Sequence, residues 1–193
     1  VGFISGSLLD ILSVKIKELS EQGYHNQLTG LPNRQSLHRE LDLIIKSNPK
    51  SEQPWELDFM VKSDFRAVEQ FALVVISIDN LAAIFNIIGY QQADRFLKKS
   101  ADHLKENLNI NSKLYHAHSN KFNILLLGHN KNSALEWVRD YSSFLHEPVL
   151  FDGIPIYLKT SIGLAHYPQH SNNGNEIINK AYIAMNKARS NKL

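Results

Sequence analysis

Cysteine is absent from the 193 residues of this chain, which excludes disulfide bonds and thiolate metal sites. No apolar run approaches the roughly 20 residues that span a bilayer. No Gly-rich phosphate loop of the Walker or dinucleotide type occurs either. The net charge of +2 is too small for a dedicated nucleic-acid or membrane-surface binder, so no nucleic-acid partner is expected.

The composition is that of a soluble globular domain with a real core. Apolar residues make up 43% of the chain and charged residues 21%. The lack of cysteine fits a reducing compartment, and we expect a cytoplasmic location. The chain starts with Val1 and has no initiator Met, so we expect a fragment of a longer protein, whose membrane anchor or targeting signal would lie outside these residues.

The first 22 residues have the spacing of a helix. Leu9, Leu12, Ile16 and Leu19 recur at steps of three, four and three, the seam of a coiled coil, and Gly23 ends the pattern. This helix either packs on its own domain or forms a dimerising stalk that carries a signal. We therefore divide the chain into an N-terminal helix, residues 1–23, and a domain, residues 24–193.

The domain alternates helical and strand patterns. Phe71–Ile78 is an apolar, β-branched run that predicts a strand buried on both faces. Residues 48–68 predict a partly packed loop. The remaining predicted elements are a helix to Ser47, a helix over 91–107, a hairpin of 114–117 and 121–127, a helix over 132–146, strands at 149–151 and 156–165, and a helix over 175–190. This order predicts an α/β (α+β) sandwich. A mainly antiparallel sheet would be flanked by helices, as in polymerase palms and class III nucleotidyl cyclases with their ferredoxin-like core.

Four segments carry a more specific pattern. They are Leu-Thr-Gly-Leu-Pro-Asn-Arg at 28–34, Ile-Ser-Ile-Asp-Asn-Leu at 76–81, His-Ser-Asn-Lys-Phe at 118–122, and Ser-Ile-Gly-Leu-Ala at 161–165. In order and spacing they resemble the GGDEF (diguanylate cyclase) family, and the resemblance covers about residues 24–193. In that family two GTP-loaded domains face each other, and each 3′-hydroxyl attacks the α-phosphate of the partner's GTP to give cyclic di-GMP.

That chemistry needs two divalent metals, which prefer carboxylate oxygens. The family supplies one acid at the end of the first strand and one in the hairpin turn, where glycines let the backbone approach the nucleotide. In this chain Ser77 replaces the first acid, and Asn120 and Lys121 replace the acids of the turn. The glycines have become His118 and Ser119. The ammonium of Lys121 would repel a cation, so we expect no catalytic residue, no metal and no cofactor.

Asp79 is the acid that remains near this vestigial site, and two interpretations of it stay open. It could be a stray metal ligand, since alternation in a regular strand places it on the same face as Ser77. It could instead cap the helix that follows. Magnesium would be expected only if the chain were a weakly active cyclase that uses Asp79.

The nucleotide contacts are partly retained. The guanine-binding Asp corresponds to Asp94, but the family's guanine-binding Asn falls at Phe85, and a phosphate-binding Lys falls at Ala82. Arg189 keeps a positive charge where the family has another Lys. Asp94, Arg189 and Lys121 could therefore bind GTP or cyclic di-GMP without turnover. The Arg-x-x-Asp pair of product inhibition has become Asn109 and Ser112, so no such product site is predicted.

His116 and His118 flank one residue on a predicted strand. Such a pair could bind a transition metal, but no third ligand is evident, and surface histidines are the default interpretation.

We therefore expect a catalytically inactive GGDEF-like regulatory or dimerisation module of a bacterial cyclic di-GMP signalling protein. Its expected partners are a second copy of itself, an upstream sensor and a downstream EAL phosphodiesterase domain.

Overall fold

The computed structural model describes residues 23–47 and 68–191. The predicted N-terminal helix over the first 22 residues lies outside these residues, as does nearly all of the predicted loop over 48–68. The prediction that the chain divides at residue 23 stays a prediction.

The centre of the domain is a four-stranded antiparallel sheet. Its strands are β1 (Phe71–Ile78), β2 (Ser112–His118), β3 (Lys121–Leu127) and β6 (Thr160–Tyr167), in the order β2-β3-β1-β6. All eight residues of β1 are buried, which confirms the strand predicted from its largely apolar run. The predicted mainly antiparallel sheet is also confirmed.

Helices cover both faces of the sheet. They are α1 (Arg34–Ser47), α2 (Leu81–Ile88), α3 (Ala93–Lys105), α4 (Lys131–Phe144) and α5 (Gly174–Ser190), with a short 3₁₀ turn at Tyr90–Gln92. Successive side chains of β1 point to opposite faces. One face packs with α1 and α5 in an apolar cluster that includes Leu73 and Val75. The other face, which includes Val74 and Ile76, packs with α2, α3 and α4.

One predicted strand is split in two. The chain pairs β4 (Val149–Phe151) with β5 (Ile154–Ile156) in a separate hairpin, and β6 begins only at Thr160. The single strand predicted over 156–165 is therefore wrong, because Ile156 pairs with β4, residues 157–159 pair with neither strand, and pairing with β1 begins at Thr160. The apolar pattern runs through both segments and could not reveal the change of partner.

Helix α5 approaches β6 very closely. A Cβ placed on Gly163 of β6 would lie 2.2 Å from the carbonyl oxygen of Ala181 and 2.2 Å from the amide nitrogen of Met185. Only glycine permits this approach, which brings the C-terminal turns of α5 over the end of the sheet.

Within the described ranges, no helix combines the length and the apolar character needed to cross a membrane.

Candidate functional site

The segment that precedes α1 folds against the edge strand β2. The side-chain Oδ1 of Asn26 accepts hydrogen bonds from the backbone amides of Leu28 and Thr29, and Gly30 has a φ of 68° that favours glycine. The Thr29 hydroxyl lies 3.1 Å from Nδ1 of His116, and the amide of His116 donates to the carbonyl of Pro32 at 2.8 Å. These contacts connect the 28–34 segment to the hairpin of β2 and β3.

The hairpin turn lies against the end of β1. The backbone amide of Ile78 donates to the carbonyl of Asn120 at 2.9 Å. The side-chain amide of Asn120 donates to Oγ of Ser77 at 3.3 Å and to the carbonyl of Ile78 at 3.1 Å. Nζ of Lys121 donates to Oδ1 of Asn120 at 3.3 Å. The structure therefore brings Ser77, Asn120 and Lys121 together at one end of the sheet, where Ser77 is fully buried.

Asp79 makes two contacts beside this cluster. Its Oδ2 accepts a hydrogen bond of 2.6 Å from the hydroxyl of Ser161, and its Oδ1 lies 3.5 Å from Nε of Arg189. That ion pair lacks hydrogen-bond geometry, so Oδ1 is buried without a hydrogen-bond partner in the structure. The carboxylate therefore links β6 and α5 to the end of β1.

The interpretation of Asp79 as a helix cap is wrong. The residue at the N-cap of α2 is Asn80, and its side chain does not cap the helix. Instead the Asn80 amide donates to the carbonyl of Tyr157 at 3.0 Å and accepts from the amide of Lys159 at 2.9 Å. Asp79 is directed toward Ser161 because β6 continues beside β1 to this point.

The two histidines of β2 occupy different environments. His116 is only 3% exposed and stacks on Phe122 with ring centroids 4.5 Å apart, so the surface position expected for it is wrong. The register shifts between His116 and His118, and His118 is exposed at the turn. Burial lowers the pKa of both rings, and the charges of Arg34 and Lys121 also lower that of His118. The irregular register means that the two side chains do not share one regular strand face.

Ser119 lies at the exposed tip of the turn. Asp94 lies in the first turn of α3, exposed to solvent. Phe85 of α2 forms an edge-type contact with Tyr90, with ring centroids 6.3 Å apart. Among the described residues, no hydrogen bond or ion pair joins Asp94 to Lys121 or Arg189. The structure thus gathers the two basic residues near the end of β1, but it does not connect Asp94 to them.

The side chains at this site do not fit a pair of divalent metals. Hard cations prefer several carboxylate oxygens, but the donors here are the hydroxyl of Ser77, the amide of Asn120 and one carboxylate, Asp79. That carboxylate is engaged by Ser161 and Arg189, and an ammonium lies within 3.3 Å of the Asn120 oxygen. Across residues 23–47 and 68–191, no three His, Asp or Glu side chains are grouped as a metal site.

The sequence patterns missed Ser161 as a site residue. It lies directly opposite Ser77 in the pairing of β1 with β6, and both are fully buried. Two small hydroxyl residues within otherwise apolar strands were the available signal.

The comparisons with known proteins agree on one family. The model described as "Diguanylate cyclase, GGDEF domain" matches residues 23–193. A protein of Synechocystis that has no assigned function is 25% identical over 97% of this chain and 25% of its own length. The bifunctional diguanylate cyclase/cyclic di-GMP phosphodiesterase MucR of Pseudomonas aeruginosa is 22% identical over 90% of this chain and 23% of its own length. The chain thus spans about a quarter of each of these relatives.

Solved structures have the same fold. The coiled coil and GGDEF domain of DgcB from Caulobacter crescentus, solved in complex with cyclic di-GMP, superposes with a TM-score of 0.73 at 15% identity. The match covers 97% of this chain and 91% of that one.

Proposed function

This chain belongs to the GGDEF domain family of diguanylate cyclases, and we propose that it is a catalytically inactive member of that family. In this proposal it acts as a regulatory or dimerisation module of a bacterial cyclic di-GMP signalling protein. Members of the family need two metal-binding acids. This chain has Ser77 and Asn120 at the corresponding positions.

The hydrogen bond from Asn120 to Ser77 carries the proposal. In the family these two positions would hold carboxylates, which repel each other and are brought together by a cation between them. In this chain an amide and a hydroxyl bond directly, with no charge to neutralise. The position of Lys121 supports the same conclusion, because its ammonium lies next to Asn120 and opposes the approach of a divalent cation.

Asp79 and Arg189 would then have a structural function. The carboxylate that could have served as a ligand instead holds the end of β1 to β6 through Ser161 and to α5 through Arg189. A signalling module that transmits the relative positions of its helices would benefit from such a connection, since α5 leads to the C-terminal end of the domain.

The partners of the proposed module would be a second copy of the chain, a sensor and an EAL phosphodiesterase domain. The bifunctional relative MucR supports the last of these.

A second candidate function is binding of GTP or cyclic di-GMP without turnover. One observation favours it: Lys121 and Arg189 both lie near the end of β1, and the side chain of Arg189 is 48% exposed. Calorimetry with each nucleotide, with and without Mg²⁺, tests this candidate. Heats that are unchanged in Asp94→Ala and Arg189→Ala would dismiss the site.

The decisive experiment for the proposed function is a cyclase assay. The chain is incubated with GTP and Mg²⁺ or Mn²⁺, alone and mixed with an active cyclase, and cyclic di-GMP is measured. We expect no product from the chain alone. Product that is abolished by Asp79→Asn would instead establish a weakly active cyclase.

A further inference from the structure

A small polar cavity lies on the face of the sheet that α1 and α5 cover. It has a volume of about 160 Å³, roughly ten times what a single water needs. Two apolar residues form part of its wall. Its polar lining consists of Arg34, His38, His118, Asn123, Asn179 and Tyr182. Three separate elements contribute these side chains, namely α1, the β2–β3 hairpin and α5.

The cavity has positive charge and no acid in its lining. Arg34 is the first residue of α1, and Asn33 caps this helix by accepting from the amides of Gln35 and Ser36. Burial, and after it the charge of Arg34, lowers the pKa of His118. Burial raises the pKa of Tyr182, and the hydrogen bond with Asn123 and the charge of Arg34 oppose that rise. The Arg34 guanidinium therefore acts electrostatically on both the hairpin wall and the α5 wall of the cavity.

Most of the donors of Arg34 are available. Its Nε donates to Nε2 of His38 at 3.2 Å. Within the described part of the chain, its two Nη groups have neither a hydrogen bond nor a carboxylate partner. A guanidinium with two open NH₂ groups matches the oxygen atoms of a phosphate group.

Asn123 provides independent evidence for a ligand. Its side chain lines the cavity, is only 1% exposed and shares a hydrogen bond with the side chain of Tyr182. Its Oδ1, however, is buried without a hydrogen-bond partner. Buried amide oxygens almost always have a partner, because an unpartnered one loses its hydration and gains nothing in return. A bound molecule with a hydroxyl group would satisfy it.

We propose that this cavity binds a phosphate group, with Arg34 holding its oxygen atoms and Asn123 accepting a hydrogen bond from a protonated oxygen or a linked hydroxyl. In this proposal the imidazole of His118 and the hydroxyl of Tyr182 donate further hydrogen bonds to the phosphate. The cavity shares His118 with the changed hairpin turn, but Ser77, Asp79 and Arg189 take no part in it, so it is distinct from the vestigial metal position. It does not depend on whether the domain is catalytically inactive.

The test uses nuclear magnetic resonance titration of the labelled chain with inorganic phosphate at constant ionic strength. We expect saturable shifts at the side-chain amide of Asn123 and the ring of His118 across the millimolar range. Arg34→Gln should weaken binding by about tenfold or more, since a charge-assisted contact is lost. Arg139→Gln is the matched control: this arginine is exposed on α4 and outside the cavity, so affinity should not change.

A second titration with guanosine monophosphate identifies the source of the phosphate group. Tighter binding than inorganic phosphate, still dependent on Arg34, would assign a nucleotide, whereas equal or weaker binding would assign the free ion. Shifts that never saturate, or equal affinities in Arg34→Gln and Arg139→Gln, would overturn the proposal. Asn123→Asp is a further variant for the titration. A carboxylate in the cavity should abolish phosphate binding, and circular dichroism should show that the variant is still folded.

Discussion

The side-chain amide of Asn120 donates a hydrogen bond of 3.3 Å to the hydroxyl of Ser77, across 43 positions of the chain. It thereby joins the hairpin turn directly to the end of the central strand. The same amide also donates to the carbonyl of Ile78, and the backbone carbonyl of Asn120 accepts from the amide of Ile78. The contact between turn and strand is therefore satisfied by neutral groups, which leads to the first prediction.

Placing an acid at both positions should create a requirement for metal. In Ser77→Asp/Asn120→Asp, two carboxylates would lie close together and repel each other by about 1 to 4 kcal/mol, depending on local screening. We expect this variant to be less stable than the wild type and to regain stability when Mg²⁺ or Mn²⁺ is added. A cation at a hundred times its Kd contributes about 2.7 kcal/mol. Thermal unfolding with and without metal measures the effect.

Asn120→Asp alone is the matched control. Its new carboxylate would face the ammonium of Lys121, which already lies 3.3 Å from Oδ1 of Asn120. We expect the thermal stability of this single variant not to depend on added metal. A wild-type melting temperature that rises with Mg²⁺ would contradict the prediction.

The second prediction concerns the contacts of Asp79. Ser161→Ala removes a hydrogen bond of 2.6 Å to a mostly buried carboxylate and should cost about 1.5 to 3 kcal/mol of unfolding free energy. Arg189→Ala removes a longer, half-exposed ion pair and should cost about 1 kcal/mol or less. Urea unfolding compares the two variants, with Lys187→Ala on the exposed side of the same helix as the control. A larger loss for Arg189→Ala would show that the ion pair dominates.

The third prediction concerns the close approach of α5 to β6. Gly163→Ala places a methyl group 2.2 Å from backbone atoms of Ala181 and Met185, which cannot move without displacing the helix. We expect a loss of about 3 kcal/mol or more, comparable to severe overpacking, or failure to fold.

Gly174→Ala is the control for Gly163→Ala. There the added Cβ would lie 3.3 Å from Cβ of Leu41 and 3.4 Å from Cδ1 of Ile45, and a shift of a few tenths of an ångström relieves both contacts. Its change should stay within about 1 kcal/mol. Similar unfolding free energies for the two variants would refute the inferred packing of α5.

The fourth prediction concerns acid stability. Burial lowers the pKa of His116 in the folded state, whereas in the unfolded chain a histidine titrates near about 6.5. The unfolded state therefore binds the proton more readily. The contribution of His116 to the free energy of unfolding is therefore fully present above the unfolded pKa. It is lost as the pH falls below that pKa, by at most about 1.4 kcal/mol per pH unit.

His116→Phe should keep the stack on Phe122 and reduce this decline. Unfolding free energies measured from pH 7.5 down to 5 test it, where the range follows from the unfolded pKa of about 6.5. His146→Gln, at an exposed position after α4, should leave the slope as in the wild type. An unaltered slope in His116→Phe would show that other groups cause the acid sensitivity.

The sequence by itself determined most of the helices and strands of this protein. An eight-residue apolar run predicted the buried strand β1, and the period of apolar residues predicted the helices, because each element repeats its buried positions along the local chain. The motif at 28–34 and the hairpin turn predicted the family, which the family model confirms. The loss of the metal-binding acids stays a prediction. These signals are local, and each can be recognised without knowing which segments meet.

Only the tertiary structure decided the partners of the polar side chains. Asp79 meets Ser161, 82 positions away, because β6 pairs with β1 in a register that places Ser161 opposite Ser77. The cavity around Asn123 likewise depends on three elements that converge from distant parts of the chain. Hydrogen bonds and ion pairs between distant segments depend on strand register and helix position, which local periodicity does not encode.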